Sequence, residues 1–297
     1  MTLTVQQPEL CLTTEQAFST IPASTYNYTE LADIYNQTRV DYIVPMPMNA
    51  KRMEVYVKSY DIDLDASVVA FDADGEMAGV GMLGRRGDRA WITRLGVLPY
   101  RRGHQLGRFL METLIAQAVR GGARLIQLEV IKGNTPAYRL FLKLGFKETR
   151  ELLVIRRPPG KPLMENPLPQ AAVTPLTPDE VQGCLTQQHT TGASWLDETA
   201  SLLQAGSLKG LRVVLPSGAA GWVVYQQTAL QIGYIVLHTP WPARDELTRA
   251  LLYHLHSLHP LQDTKVENIP ALDLRWPVYQ EFGYVEAFRR IEMFLYL

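Results

Sequence analysis

An apolar, strand-like segment runs directly into a basic, glycine-containing turn within residues 94–108, and an amphipathic helix follows. Gly103 and Gly107 let a ligand approach the backbone closely, and the unpaired amides of a first helical turn attract anions. Positive charge comes from three arginines, Arg101, Arg102 and Arg108. The run predicts an α/β fold with an anion site that suits a pyrophosphate, although the same residues could only cap the helix and solvate the loop.

Two further motifs follow this turn along the chain. Residues 128–134 predict a strand that ends in Lys-Gly-Asn, and residues 136–146 predict a short helix that stops at Gly145. Asn134 stands where a helix N-cap is expected, so its amide suits both a capping and a ligand-binding role. Three motifs in this order are far more specific than the turn alone.

Together the motifs of residues 28–157 resemble the GNAT superfamily of N-acetyltransferases. The pyrophosphate motif of that family falls on residues 102–107, with Gln105 in place of the usual middle glycine. The Asn, Ala and Gly-Phe positions of the family fall on Asn134, Ala137 and the pair Gly145-Phe146. The resemblance implies a fold that binds acetyl-CoA as cosubstrate, with an amine acceptor as the second partner.

The resemblance also implies which residues contact acetyl-CoA. In this family a bulge in the strand before the turn frees backbone amides, and an amide near Val97 would stabilise the charge that develops on the thioester oxygen. The expected contacts are Leu95, Gly96, Val97, Arg102, Gly103, His104, Gln105, Leu106, Gly107, Arg108, Asn134, Ala137 and Phe141.

Two residues are candidates for acid–base catalysis. Glu129 has the same spacing from the Asn motif as the general base of similar ribosomal-protein N-terminal acetyltransferases, and it would equally suit a structural hydrogen bond on a half-buried strand. Phe141 stands where the family often has a tyrosine that protonates the departing thiolate. Either Tyr138, one helical turn earlier, replaces that tyrosine, or the thiolate leaves unassisted, which a thiol pKa of about 8.5 tolerates.

The second half of the chain repeats the pattern of the first. Seven prolines within residues 156–178 predict a linker without regular structure. After it the strand and helix patterns recur, and a Gly-aromatic pair at residues 283–284 matches that at 145–146. We infer two tandem GNAT-like domains of the α/β (α+β) class, each with a mixed, mostly antiparallel central sheet flanked by helices. The expected bounds are an acetyl-CoA-binding domain at 1–157, a Pro-rich linker at 158–178 and a degenerate GNAT-like domain at 179–297.

The second copy lacks the anion site of the first. Residues 241–248 contain no glycine, and Asp245 and Glu246 would repel a pyrophosphate, although they suit the first turn of a helix. We therefore expect one acetyl-CoA per chain. The second half would then be structural or form a wall of the acceptor site.

The composition of the chain limits which kinds of molecule it could bind. A net charge of −1 over 297 residues argues against general binding of nucleic acids or membrane surfaces. Cys11 and Cys184 lie far apart in unrelated contexts, and residues 1–8 lack a secretory pattern, so we expect a cytoplasmic protein. We expect it to be a monomer or a homodimer. The pattern predicts one amphipathic helix that contains His254, His256 and His259. Only His256 and His259 would share a face of it, so no metal site is expected.

These patterns predict an N-acetyltransferase that transfers the acetyl group of acetyl-CoA directly to a primary amine of a small molecule or peptide. The alternative is a non-catalytic acyl-CoA-binding or regulatory module, which Phe141 and Gln105 favour.

Overall fold

The computed structural model describes residues 18–188 and 192–297, so Cys11 lies outside the described residues. The helices are α1 (Tyr28–Gln37), α2 (Ala50–Ser59), α3 (Leu106–Arg120), α4 (Thr135–Lys143), α5 (Pro178–Gln188), α6 (Thr199–Ala205), α7 (Arg244–Leu258) and α8 (Trp276–Glu281). The strands are β1 (Ser19–Pro22), β2 (Ile62–Phe71), β3 (Met77–Arg86), β4 (Arg89–Val97), β5 (Leu125–Ile131), β6 (Lys147–Arg157), β7 (Ala172–Pro175), β8 (Leu208–Val214), β9 (Ala220–Gln227), β10 (Gln231–His238), β11 (Asp263–Pro270) and β12 (Val285–Tyr296).

Within the described part of the chain these strands form a single 12-stranded sheet. Its order is β1-β2-β3-β4-β5-β12-β6-β11-β10-β9-β8-β7. The pairs β4–β5 and β10–β11 are parallel, and the other neighbours are antiparallel. The predicted class, a mixed and mostly antiparallel sheet with flanking helices, is confirmed.

Each half of the sheet opens at its one parallel pair. β4 pairs with β5 only at residues 89–91, and β10 pairs with β11 only at residues 231–232, so both pairs diverge beyond those points. β4 and β10 each contain a register shift, with φ of 51° at Arg94 and 49° at Tyr234. The same irregularity at the same place in both halves supports the inferred duplication.

The halves exchange their last strands. β12 pairs with β5 on one side and with β6 on the other, while β6 continues to β11. The cores follow the strands: Met293 of β12 packs in the first-half core with Leu110 and Leu114, and Leu153 and Ile155 of β6 pack in the second-half core. Neither half completes its sheet with its own strands.

One expectation for the connecting segment is wrong. Residues 172–175 do not lack regular structure but form β7, which pairs with β8 at the edge of the sheet. An edge strand forms ladder hydrogen bonds on one side only, so Pro175 at its end is tolerated. The bounds of the predicted domains and linker stay a prediction.

Candidate active site

A cavity of about 840 Å³ lies where β4 and β5 diverge. First-half residues of β4, β5 and the α1–α2 connection line it, among them residues 91–95, 128–131 and 42–48. The second half supplies the opposite wall, with Leu196, Asp197, Tyr234, Lys265, Glu267 and Arg290. The cavity is therefore built jointly by both halves.

Glu129 of β5 presents a carboxyl group to this cavity. Its Oε2 accepts a hydrogen bond of 2.8 Å from Trp91 Nε1, whereas its Oε1 is buried without a partner. Burial raises the pKa of Glu129 to about 7, against the opposing effects of the Arg290 charge and the Trp91 hydrogen bond. A carboxyl group with this pKa exchanges protons at neutral pH, as a general base must.

A charged network forms the opposite wall. Arg290 Nη2 lies 2.8 Å from Glu267 Oε2, and Lys265 Nζ lies 2.5 Å from Glu267 Oε1. Burial alone would raise the pKa of Glu267, but these two cations hold it well below its usual range. Burial raises the pKa of the neighbouring Asp197 to about 7, opposed by a 2.9 Å hydrogen bond from Ser194 Oγ.

Trp195 of the second half fixes the hydrogen-bond donor of Glu129. Its ring stacks on that of Trp91 with a centroid distance of 5.8 Å and an interplanar angle of 18°. Trp195 Nε1 donates to the Tyr60 carbonyl at 2.9 Å, and the Arg86 guanidinium lies 4.4 Å from the Trp195 ring centre. The second half therefore orients the residue that orients Glu129.

The bulge of β4 places Arg94 at the cavity, a residue to which the sequence analysis gave no role. Its Nη1 donates to the Tyr35 hydroxyl at 3.0 Å, and its guanidinium carbon lies 4.1 Å from the Tyr56 ring centre. The Tyr56 hydroxyl and Thr93 Oγ1 are 2.6 Å apart, and burial raises the pKa of Tyr56 to about 12. Tyr56 is thus a neutral wall residue at physiological pH.

The predicted anion turn is exposed at the end of β4. Gly103 has φ of 86°, and Gln105 has φ of 61° as the N-cap of α3, without a side-chain cap. The first-turn amides of α3 are therefore free of side-chain capping, which fits a phosphate group. The three arginines form ion pairs, Arg101 with Asp72 at 2.5 Å, Arg102 with Asp41 at 2.6 Å and Arg108 with Glu112 at 2.8 Å.

Between the turn and the cavity, β4 keeps one edge unpaired. Beyond Trp91 no pairing with β5 is found among the described residues, so this stretch, which includes Leu95, Gly96 and Val97, pairs with β3 alone. The Leu95 carbonyl accepts from Arg39 Nη2 at 2.8 Å, and the Val97 carbonyl accepts from Arg102 Nε at 3.2 Å. An open strand edge of this kind suits an extended ligand with amide groups.

The α4 candidates divide into two groups. Asn134, Ala137 and Phe141 line the cavity, and Asn134 Oδ1 caps α4 by accepting from the Ala137 amide at 3.4 Å. Tyr138 is not among the lining residues: its hydroxyl donates to Glu148, which raises the pKa of Tyr138. The structure therefore does not bring Tyr138 together with Glu129.

Of the remaining turn candidates, His104, Leu106 and Gly107 surround the start of α3. A Cβ atom built at Gly107 would meet Leu140 Cδ2 at 3.5 Å and Val97 Cγ2 at 3.9 Å, both ordinary contacts. The fold itself therefore tolerates a side chain at Gly107. A requirement for glycine there would come from a ligand.

The second half differs at the matching place. α7 begins with Asp245 and Glu246 in its first turn, and Asp245 Oδ1 accepts from Arg244 Nε at 2.8 Å. Two histidines bond tyrosine hydroxyls: the buried His256 of α7 with Tyr284 at 3.0 Å, and His259, just after the helix, with Tyr225 at 2.8 Å. In residues 18–188 and 192–297 no cluster of three metal-ligating side chains occurs, and no helix is long and apolar enough to span a membrane.

The family model of the GNAT acetyltransferases matches residues 30–146, which contain the turn, the cavity strands and α4. This part of the chain is a GNAT domain. A domain of this kind at residues 30–146 indicates acyltransferase activity. No curated protein matches the sequence significantly.

Solved structures extend the likeness to both halves. A GCN5-related N-acetyltransferase from Sphaerobacter thermophilus aligns with a TM-score of 0.66 at 19% identity, over 94% of this chain and 95% of that one. A tandem GNAT protein from the clavulanic acid biosynthesis pathway aligns with a TM-score of 0.64 at 15% identity, over 95% and 98%. At these identities the likeness establishes the fold alone, and it is a tandem GNAT fold.

A third structure covers the chain in a different context. The glucosamine N-acetyltransferase region of a fungal multi-domain GH3 β-N-acetylglucosaminidase aligns with a TM-score of 0.69 at 13% identity, over 94% of this chain and 38% of that one. The tandem arrangement thus occurs inside a larger protein as well as in chains of similar length.

Proposed function

We propose that the protein is an acetyl-CoA-dependent N-acetyltransferase that acts on a primary amine of a small molecule or peptide by direct transfer. The observation that carries this proposal is Glu129, whose buried Oε1 has no partner in a GNAT-domain cavity. A second support is the pKa of about 7, which leaves Glu129 partly ionised at neutral pH. A carboxylate in this position suits removal of a proton from a bound ammonium.

Different residues of the first half would bind acetyl-CoA and accept the proton. The first turn of α3, with Gly103 and Gln105 before it, would hold the pyrophosphate, and the open edge of β4 would hold the extended arm. Acetyl-CoA supplies the acetyl group as a thioester. Glu129 takes one proton from the bound ammonium. The neutral amine nitrogen then bonds to the acetyl carbon, the C–S bond breaks, and the second nitrogen proton passes to water as the thiolate departs.

The departing sulfur would leave as a thiolate without a tyrosine acid. Phe141 cannot donate a proton, and the Tyr138 hydroxyl is bonded to Glu148. Because a thiol pKa is about 8.5, the thiolate is a tolerable leaving group near neutral pH. The backbone amide near Val97 remains the proposed donor to the thioester oxygen.

The second half would bind no acetyl-CoA and would complete the acceptor site. Asp245 and Glu246 occupy the helix start at which a pyrophosphate would bind, whereas Leu196 and Tyr234 line the first-half cavity. A carboxylate at a helix N-terminus satisfies the same dipole that an anion would.

The test is thiol release from acetyl-CoA with a panel of primary amines, run beside calorimetric titration with CoA. Transfer to at least one amine, with product identified by mass spectrometry, is expected. Tight CoA binding without transfer to any panel member would replace this proposal with the non-catalytic acyl-CoA-binding module.

A further inference from the structure

We propose that Arg39 and Arg94 bind a carboxylate group of one of the two substrates. The inference rests on the proposed function and narrows its substrate class. The carboxylate belongs either to an acceptor that carries both an amine and an acid, such as an amino acid, or to a dicarboxylic acyl group on CoA. Both sources share the chemistry of a carboxylate beside the bulge of β4.

Arg94 has more hydrogen-bond donors than acceptors around it. Its Nη1 donates to the Tyr35 hydroxyl, and its Nε is buried without an acceptor. No carboxylate of the described residues lies within ion-pair distance of its guanidinium. A buried donor that stays unpaired is costly, so a site of this kind favours an anion with two acceptor oxygens.

Arg39 repeats this situation close to the same tyrosine. Its Nη2 donates to the Leu95 carbonyl at 2.8 Å, whereas its Nε is buried without an acceptor. The guanidinium carbons of Arg39 and Arg94 each lie 5.2 Å from the Tyr35 ring centre. Their separation is therefore at most about twice that distance, and both side chains line the same cavity.

The cations on the opposite wall of the cavity differ from Arg39 and Arg94 in their ion pairing. There Lys265 and Arg290 share Glu267, and Arg156 Nη2 lies 2.6 Å from Asp263 Oδ2. Those cations already have anionic partners in the protein. Arg39 and Arg94 instead rely on aromatic rings, with Arg39 3.9 Å from the Tyr42 ring centre. Aromatic faces hold a guanidinium in place without neutralising its charge.

The proposed anion site adjoins the proposed base. Tyr56 lies between the two: its ring is 6.0 Å from the Trp91 ring, whose Nε1 donates to Glu129, and 4.1 Å from the Arg94 guanidinium carbon. Arg94 also directly precedes the strand stretch that faces the expected thioester. A carboxylate held there would fix the orientation of a substrate at the reacting atoms.

The experiment measures kcat/KM for matched substrate pairs. In the acceptor arm, L-amino acids are compared with their carboxamides, with acetyl-CoA as donor. In the acyl arm, the carboxamides are kept and succinyl-CoA is compared with acetyl-CoA. Each pair is run on the wild type, Arg94→Gln, Arg39→Gln and the charge-matched control Arg120→Gln, a substitution at the exposed end of α3.

In one arm the wild type should prefer the carboxylate member, and each site variant should reduce that preference about 10- to 100-fold, mostly through KM. Because the same pair is compared across variants, the different basicity of the two amines cancels. Arg120→Gln should keep the preference, and thermal melting shows whether each variant is folded. A preference in neither arm, or one that survives both site variants, overturns the proposal.

Failure of the proposed function would be visible separately, as absence of transfer in both arms. In that case the dissociation constant of succinate, measured at constant ionic strength for the wild type and both site variants, tests the site. A dissociation constant at least tenfold higher in Arg94→Gln than in the wild type would support the site. Equal dissociation constants in the wild type and both site variants would overturn it.

Discussion

Replacing Glu129 by glutamine tests the proposed chemistry most directly, because glutamine keeps an oxygen that can accept from Trp91 Nε1. With a pKa of about 7, Glu129 is ionised in about a tenth of molecules at pH 6 and in about nine tenths at pH 8. The general-base contribution to kcat/KM should therefore rise about tenfold over that range. The variant should lack this rise and lose about 10²- to 10⁴-fold in rate.

The assay is thiol release with one amine at pH 6, 7, 8 and 9, on the wild type and on Glu129→Gln. The acceptor amine also loses its proton as the pH rises, so the ratio of wild-type to variant kcat/KM is the informative quantity. Glu148→Gln, which removes a carboxyl group outside the cavity, is the matched control. A ratio that stays flat across the inflection near pH 7 would refute the assignment of Glu129 as the base.

The same substitution has a consequence for stability. Folding raises the pKa of Glu129 from its ordinary value of 4.5 to about 7, so the folded state holds the proton more tightly than the unfolded state does. Stability is then lost as the pH rises from about 4.5 to about 7, by up to about 3 kcal/mol. Glu129→Gln should therefore melt above the wild type at pH 8 and not at pH 4. Equal melting temperatures at pH 8 would contradict the raised pKa.

Four further predictions concern the turn, α4 and the number of acetyl-CoA sites. Gln105→Gly should raise the free energy of unfolding by up to about 1 kcal/mol, because Gln105 has φ of 61°, and calorimetry should show no loss of acetyl-CoA affinity. Tyr138→Phe should keep kcat within about twofold, and a larger loss would restore the acid role. Titration should show one acetyl-CoA per chain, and two equivalents would contradict this expectation. Gly107→Ala should weaken the binding of acetyl-CoA and leave the thermal melting temperature unchanged, and unchanged affinity would contradict it.

Local periodicity was sufficient to predict most elements of the fold. The amphipathic helix expected after the basic turn is Leu106–Arg120, and the short helix expected within residues 136–146 is Thr135–Lys143. These elements have a clear apolar face and end at glycine or proline, so neighbouring residues determine them. The edge strand at residues 172–175 was missed because Pro175 and the prolines on either side of the strand outweigh its short apolar pattern.

The partners of the strands could not be predicted in this way. Apolar alternation shows which face of β5 is buried but not which strand lies beside it, and the neighbour β12 is more than 150 residues away. The environment of Glu129 also depends on residues distant in the sequence, since Arg290, Glu267 and Glu292 all affect its pKa. The motif predicted the residue, and only the assembled sheet explains its protonation.

Arg94 was missed for a different reason. It is the first residue of the run that most constrained the fold, yet nothing in an isolated arginine indicates a φ of 51°. Charge neutralisation depends on tertiary contacts, so a sequence does not distinguish the paired Arg290 from the unpaired Arg94.

The exchanged strands constrain how the chain folds during synthesis. β5 and β6 leave the ribosome early, but the strand that belongs between them, β12, ends at Tyr296. At about 5 to 20 residues per second, synthesis from the end of β6 to the end of β12 takes roughly 7 to 28 s, and during this time the edges of β5 and β6 that pair with β12 stay unpaired. Such edges attract other chains, so removal of β12 should yield an aggregating protein instead of a smaller enzyme.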